Sequence, residues 1–217
     1  DARLEEFDIE TRSVEKNKGN IYKAIVMAVE PALNAAFIDY GAEKQGFLTA
    51  NDVDPRMGGH DEDQRVFRIN ELLKAKQQIL VQVTKDGIGK KGPTLTTYIS
   101  IPGRYLVLMP SLSRSGVSKK IEDREERSRL KQLLERIDPP PGMGYIIRTA
   151  GIGRSEDELR KDLEYLLKLW NTIVGRVRED RAPARVYRES DIVIRTIRDV
   201  YTPDVVEVVI DNEAVFK

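Results

Sequence analysis

Five short apolar runs separated by glycine-bearing turns lie between Ile21 and Ile99, and that spacing constrains the fold more than any other feature of the chain. Ile21 to Glu30 (IYKAIVMAVE) is rich in β-branched residues, and the turn-like PALN leads from it into AAFIDYG. AEKQ and Gly46 then introduce Phe47-Leu48, and Gln78 to Thr84 (QILVQVT) alternates apolar and polar residues with period two, as a half-buried strand does. The glycine-lysine loop DGIGKKGP follows, and Thr94 to Ile99 supplies a fifth strand. Short strands joined by such turns suit a small closed barrel of the five-stranded OB-fold kind. The polar loop from Asn51 to about Arg65, which holds MGGHDED, is expected to cover nothing.

The rest of the chain mixes helices and strands, so the fold class is α+β. Arg104 to Pro110 (RYLVLMP) is nearly continuously apolar and is expected to be a strand buried on both faces. Leu130, Leu133, Leu134 and Ile137 follow helical spacing, and Asp138-Pro139-Pro140-Pro141 stops that helix. Gly144 to Thr149 (GYIIRT) reads as a strand. Ser155 to Glu158 forms a capping box ahead of a long amphipathic helix, whose apolar stripe runs from Leu159 to Val177 and includes Trp170 as a core residue. A short strand is expected at Arg3 to Glu10, and two more at Asp191 to Thr196 and Val205 to Ile210. These end strands have no neighbours to pair with, so both ends of the chain read as pieces of one sheet interrupted by the middle, and the chain reads as stopping inside a domain.

With 40% hydrophobic and 33% charged residues, the 217-residue chain is globular rather than disordered. No apolar run approaches the ~18 residues that a membrane span needs, and DARLEEFDIE does not resemble a signal peptide. Zero cysteines exclude disulfides and thiolate metal sites and fit a cytoplasmic address. His60 is the one histidine, which argues against Ser-His-Asp chemistry and against a multi-histidine zinc site. The net charge is zero but unevenly spread. Between Thr84 and Lys120 stand Lys85, Lys90, Lys91, Arg104, Arg114, Lys119 and Lys120 against the single acid Asp86. A phosphate chain senses that local excess rather than the total, because salt screens charge within about 8–10 Å.

A groove for single-stranded RNA needs π surfaces for bases and cations for the backbone. Alternation in AAFIDYG puts Phe37 on the same face as Asp39, which cannot comfortably join a core, so Phe37 is expected on the solvent face, with Phe47 as its companion. Tyr40 is a weaker candidate. Lys91, beside Lys90 in the glycine-rich loop, can meet backbone phosphates. That loop lacks the spacing and the following helix of a nucleotide-binding P-loop. Arg148-Thr149, at a strand end ahead of Gly151 and Gly153, offers a guanidinium fork and a hydroxyl for a terminal phosphate. Asp191, Asp211, Glu156 and Asp157 form no clustered carboxylate set of the kind a magnesium nuclease uses.

Read together, GNIYKAIVMAVEPALNAAFIDYGAEKQGFL, LTTYIS, YLVLMP, GVSKKIE, GMGYIIRTAG and DIVIRTIRDVY resemble the ribonuclease E/G family over nearly the whole chain and in the same order. In that family an OB-fold RNA-binding domain and a 5′-sensor domain are inserted into an RNase H-like subdomain. The resemblance implies RNase H-like segments at 1–16 and 191–217, an OB-fold domain at 17–98 and a 5′-sensor domain at 99–190. It implies binding of single-stranded RNA through Phe37, Phe47 and Lys91. It further implies a 5′-monophosphate pocket at Gly103, Val107, Lys119, Arg148 and Thr149. At Lys119 the family's usual residue is arginine; lysine keeps the charge and loses the bidentate fork. The family hydrolyses single-stranded, AU-rich RNA with magnesium. Its magnesium-binding aspartates, and the cysteine pair that links protomers through zinc, belong to the portion that follows. The expectation is therefore an RNA-recognition part with no cofactor of its own, inactive alone, from an endoribonuclease that is a homo-oligomer at full length. The alternative is a free-standing RNA-binding regulatory module without an enzymatic parent, and a purely structural assembly piece is a third reading.

Overall fold

The computed structural model of the chain describes residues 17–60, 67–113, 115–190, 192–201, 205–211 and 213; the opening strand expected at Arg3 to Glu10, and Arg114 and Asp191, lie outside them. The elements, in chain order, are β1 (Ile21–Glu30), β2 (Ala35–Asp39), β3 (Gly46–Thr49), α1 (Ile69–Leu72), β4 (Gln78–Lys85), β5 (Thr94–Thr96), β6 (Ile101–Pro102), β7 (Leu106–Met109), β8 (Gly116–Val117), α2 (Arg124–Arg136), β9 (Gly144–Ile147), α3 (Glu156–Glu179), β10 (Ala184–Tyr187) and α4 (Ile192–Val200).

The first five strands close into the expected barrel. They pair in the order β1-β2-β3-β5-β4, and β4 returns to β1. All the pairings are antiparallel except the single parallel bridge between β3 and β5. β1 closes the barrel because it is long: Ile21–Ile25 meet β4, Ile25–Glu30 meet β2, and a bulge at Met27 bends the strand within the β2 pairing. Ala24, Val26, Ile38, Leu48, Val81 and Leu95 fill the interior. The segment after β3 does cover something, contrary to expectation. Val53, at 1% exposure, joins the barrel core, and the Asp54 amide donates to Thr97 Oγ1 at 2.7 Å. A barrel end needs an apolar plug, and valine within a polar run supplies it.

The second sheet has the order β6-β7-β9-β8, antiparallel except for β8 beside β9. The amphipathic helices α2 and α3 cover one of its faces. Leu106, Leu108, Tyr145 and Ile147 meet Leu130, Leu134, Leu159, Leu163 and Leu166, and each such buried side chain is worth ~1.5–3 kcal/mol. Because helices cover that face and, among the described residues, the opposite one carries no such layer, β7 alternates. Leu106 and Leu108 are buried while Val107 and Met109 are half-buried, so the expected burial on both faces is not found. The capping box is present: Glu158 N donates to Ser155 Oγ and Ser155 N to Glu158 Oε2. Trp170 packs against this core, as its place in the stripe implies.

The two units share structure. β10 pairs with the first residues of β1. Ile21 belongs to the helix-sheet core and Tyr22 to the barrel core, so β1 contributes to both. Lys23 Nζ donates to the carbonyls of Val177 and Asp180, at 2.8 Å each, where α3 ends. The buried Gln82 amide holds Gly19 O and Ser100 O while accepting from Ser100 N.

The expected strand at Asp191 to Thr196 is replaced by α4, and Val205 to Ile210 is no strand. Val193, Ile194 and Ile197 follow helical spacing, which prevails over β-branched content when no strand stands beside the segment to pair with it. Among the described residues, nothing forms a ladder with 205–210.

Candidate functional site

Alternation decides what the barrel shows to solvent. In β2, Ala36 and Ile38 point inward, and Phe37 and Asp39 outward; in β3, Leu48 points inward, and Phe47 and Thr49 outward. The register places Phe37 directly across from Phe47, and the rings meet edge to face with centroids 5.8 Å apart. Both are half-buried rather than fully exposed, because each ring shields its neighbour. Tyr40 is different. It turns into the core, where its ring packs edge-on against Tyr22 at 5.0 Å, and burial raises its phenol pKa. It is therefore no stacking surface.

The glycine-lysine loop is fastened next to Phe47. The Phe47 amide donates to Pro93 O at 2.8 Å, and Lys44 Nζ donates to Gly89 O. A Cβ on Gly92 would stand 1.8 Å from Gln45 O, so only glycine lets the loop lie this close to the start of β3. Lys90 and Lys91 remain exposed on it. A π pair flanked by a cationic loop can hold unpaired bases and their phosphates.

The second cluster lies at one end of the four-stranded sheet. Because β8 and β9 run parallel, Lys119 and Arg148 leave the sheet at the same end, with Ser118 N bonded to Ile147 O at 2.8 Å. β7 runs the other way, so its incoming turn meets that same end, and Arg148 N donates to Tyr105 O at 2.7 Å. Arg148 Nη1 donates to Gly103 O at 2.7 Å and to Asp199 Oδ1 at 2.6 Å. Thr149 is exposed and opens a short 3-10 turn that runs to Gly151. Val107 lies one residue pair inward, opposite Ile146, on the face away from the helices. Gly103, Lys119, Arg148 and Thr149 therefore meet at one sheet end, with Val107 lining the adjoining face. The loop after Thr149 is pinned by Glu126 of α2, which accepts from Gly153 N at 2.9 Å and pairs with Arg129. Those hydrogen bonds, Arg129's foremost, hold the Glu126 carboxyl at about 2.

Two features of this end are not evident from the sequence. α4 lies across it: Arg198 Nη1 donates to Glu189 and to Pro102 O, and Arg104 donates to Tyr201 O and stacks near its ring. Partial burial works against ionisation of Asp199, yet the hydrogen bonds from Arg148 and Arg198 carry its pKa below the usual carboxylate range. Helical spacing in IVIRTIRDV is the available signal for α4. The other feature is Asp162, an acid set inside the buried stripe Leu159, Leu163, Leu166, where helical spacing alone marks it as unusual.

Among the described residues, no group of three or more His, Asp or Glu could hold a metal ion, and no helix is long and apolar enough to cross a membrane.

The family model described as Ribonuclease E/G family matches residues 100–217, and that of the S1 RNA binding domain matches residues 15–92. The chain is similar to ribonuclease E of Haemophilus influenzae, 42% identical over 220 residues that cover 99% of this chain and 23% of that protein. It is 39% identical to ribonuclease E of Escherichia coli strain K12, over 99% of this chain and 20% of that protein. To ribonuclease G of the same strain it is 38% identical, over 99% of this chain and 44% of that protein. It thus spans between a fifth and under half of the length of these relatives.

Proposed function

The chain belongs to the ribonuclease E/G family, and from that premise we propose that it is the RNA-recognition part of a single-strand-specific endoribonuclease of RNA processing and decay. The match of its barrel to the S1 RNA binding domain supports the choice of ligand. The observation that carries the reading is the outward ring pair Phe37–Phe47 beside the exposed Lys91. Bases stacked within a duplex offer no free π face to those rings, so the barrel selects single strands.

Gly103, Val107, Lys119, Arg148 and Thr149 are assigned to the 5′-monophosphate end. A guanidinium with an ammonium group and a hydroxyl nearby suits a dianionic terminal group better than a 5′-hydroxyl. Lys119 contributes charge without a fork. Phosphodiester hydrolysis in the whole protein is assigned to magnesium held outside these residues. Because the substrate is transcript RNA, the protein is assigned to the cytoplasm; the homo-oligomer assigned to the full-length protein follows from its family alone.

The test is a titration of labelled oligonucleotides of one sequence, single-stranded or duplex, with a 5′-monophosphate or a 5′-hydroxyl. The single strand is expected to bind more tightly than the duplex. The monophosphate is expected to bind more tightly than the hydroxyl, and Arg148→Ala to abolish that preference. Equal affinity for duplex and single strand overturns the barrel reading, and a phosphate preference that survives Arg148→Ala overturns the pocket. With magnesium and RNA the chain alone is expected to give no cleavage; sustained turnover contradicts the assignment of hydrolysis elsewhere.

A further inference from the structure

Asp162 lies on the buried side of α3 at 9% exposure, and among the described residues no cationic side chain pairs with it. An ionised carboxylate in such a place is costly unless hydrogen bonds replace its water. Three backbone amides do so. Arg104 N donates to Oδ1 at 3.0 Å, and Tyr105 N and Leu106 N donate to Oδ2 at 2.8 Å each. These consecutive donors belong to the turn that enters β7, so one side chain of α3 holds the whole turn. The turn is closed from within as well, by Gly103 N donating to Leu106 O at 2.8 Å.

Gly103 has to be glycine for the same reason. A Cβ there would stand 2.7 Å from both Asp162 carboxylate oxygens, and a carboxylate anchored by three amides has little freedom to retreat. The turn in turn holds Arg148 at two points: Tyr105 O accepts from its backbone amide at 2.7 Å, and Gly103 O accepts from Nη1 at 2.7 Å. A continuous path of hydrogen bonds therefore runs from Asp162 through the Gly103–Leu106 turn to the guanidinium.

We propose that Asp162 is a positioning residue for the terminal-phosphate pocket: by clamping the turn from Gly103 to Leu106 it fixes where Arg148 presents its guanidinium, and with it the discrimination between phosphorylated and unphosphorylated RNA ends. This rests on the assignment of Arg148 to the 5′ phosphate. Asp162 need touch no RNA. A guanidinium displaced by even a fraction of an ångström loses the alignment of its charge-assisted hydrogen bonds, whereas attraction of RNA to the barrel is unaffected.

The experiment measures, for the whole chain, the ratio of affinities for 5′-monophosphate and 5′-hydroxyl single strands of identical sequence. Asp162→Ala is expected to bring that ratio to within ~2-fold of unity while changing affinity for the hydroxyl strand no more than ~2-fold, because the barrel carries the latter. Gly103→Ala should act in the same direction. Asp162→Asn, which keeps volume and one acceptor oxygen, should fall between wild type and alanine. The double variant Asp162→Ala with Arg148→Ala should be no worse than Arg148→Ala alone, since both act through one group. If Asp162→Ala fails to fold, as circular dichroism and absent hydroxyl-strand binding would reveal, Asp162→Asn decides. A wild-type ratio in the Asp162 variant that remains folded, where Arg148→Ala abolishes it, overturns the proposal alone. A wild-type protein that shows no preference, or an Arg148→Ala that keeps it, overturns the pocket itself.

Discussion

Removing one ring of the Phe37–Phe47 pair tests the barrel reading at its base. A base stacked on an aromatic side chain contributes ~1–3 kcal/mol, so each alanine variant should weaken single-strand binding between ~5-fold and ~150-fold. The geometry adds a second effect. With centroids 5.8 Å apart and rings edge to face, the two side chains brace each other, and pairs of this kind contribute ~0.5–1.5 kcal/mol. Removing either ring leaves the other less constrained, so the double variant should lose less than the sum of the singles, by a similar amount. The assay is fluorescence anisotropy with a 5′-hydroxyl oligonucleotide, which leaves Arg148 out of the measurement. Phe37→Leu separates stacking from packing: leucine restores apolar cover without a π face, so it should rescue thermal stability and fail to rescue affinity. Alanine variants that stay folded and bind within ~2-fold of wild type would refute the reasoning. A fully competent Phe37→Leu would do the same.

Lys91→Ala should lower affinity for all single-stranded sequences alike and reduce the slope of log affinity against log salt by ~0.7, the value for one RNA phosphate that the protein no longer neutralises; an unchanged slope removes Lys91 from the interface. Asp199→Asn weakens the ion pair that occupies Arg148, and binding of 5′-monophosphate strands should tighten by up to ~5-fold, in keeping with a partly exposed pair; weaker binding would make Asp199 a supporting group rather than a competitor. The Glu126 carboxyl, at about 2 in the folded chain against an ordinary value of 4.5, contributes stability that is complete above 4.5 and is lost as pH falls toward 2. Glu126→Gln should therefore flatten the stability profile across that acid window by ~1 kcal/mol or less, since Arg129 is well exposed, and thermal melts between about pH 5 and pH 2.5 measure it.

Period-two alternation makes the barrel strands legible, and it also assigns Phe37 to the outward face, because the pattern in AAFIDYG is local and Asp39 settles its direction. Helical spacing and the Ser155–Glu158 box make α3 legible for the same reason. What alternation cannot supply is the partner. That Phe47 stands opposite Phe37 depends on the register of β3 against β2, and that Tyr40, inward by the same alternation, meets the Tyr22 ring depends on the pairing of β2 with the neighbouring β1. At the end of the second sheet, Arg148-Thr149 is legible from its place after a strand, while Gly103, Val107 and Lys119 are singled out only through resemblance. The hydrogen bonds there join Arg148 to Gly103, 45 positions away, and Asp162 to Tyr105, 57 positions away. α4 reads as a strand in sequence because its isoleucines and valines favour one where a neighbour exists, and the described residues offer none. β10, four residues long, is too short to announce itself; it takes its strand conformation from pairing with the start of β1.

Because β1 lends Ile21 to one core and Tyr22 to the other, with Lys23 bracketing the end of α3, the two units are joined through a strand they share rather than through a linker. If RNA lays a base on the rings and its terminus against Arg148, as proposed, both contacts fall on elements that this strand ties together. One preferred number of nucleotides between the two contacts is then expected, with shorter and longer bridges bound more weakly.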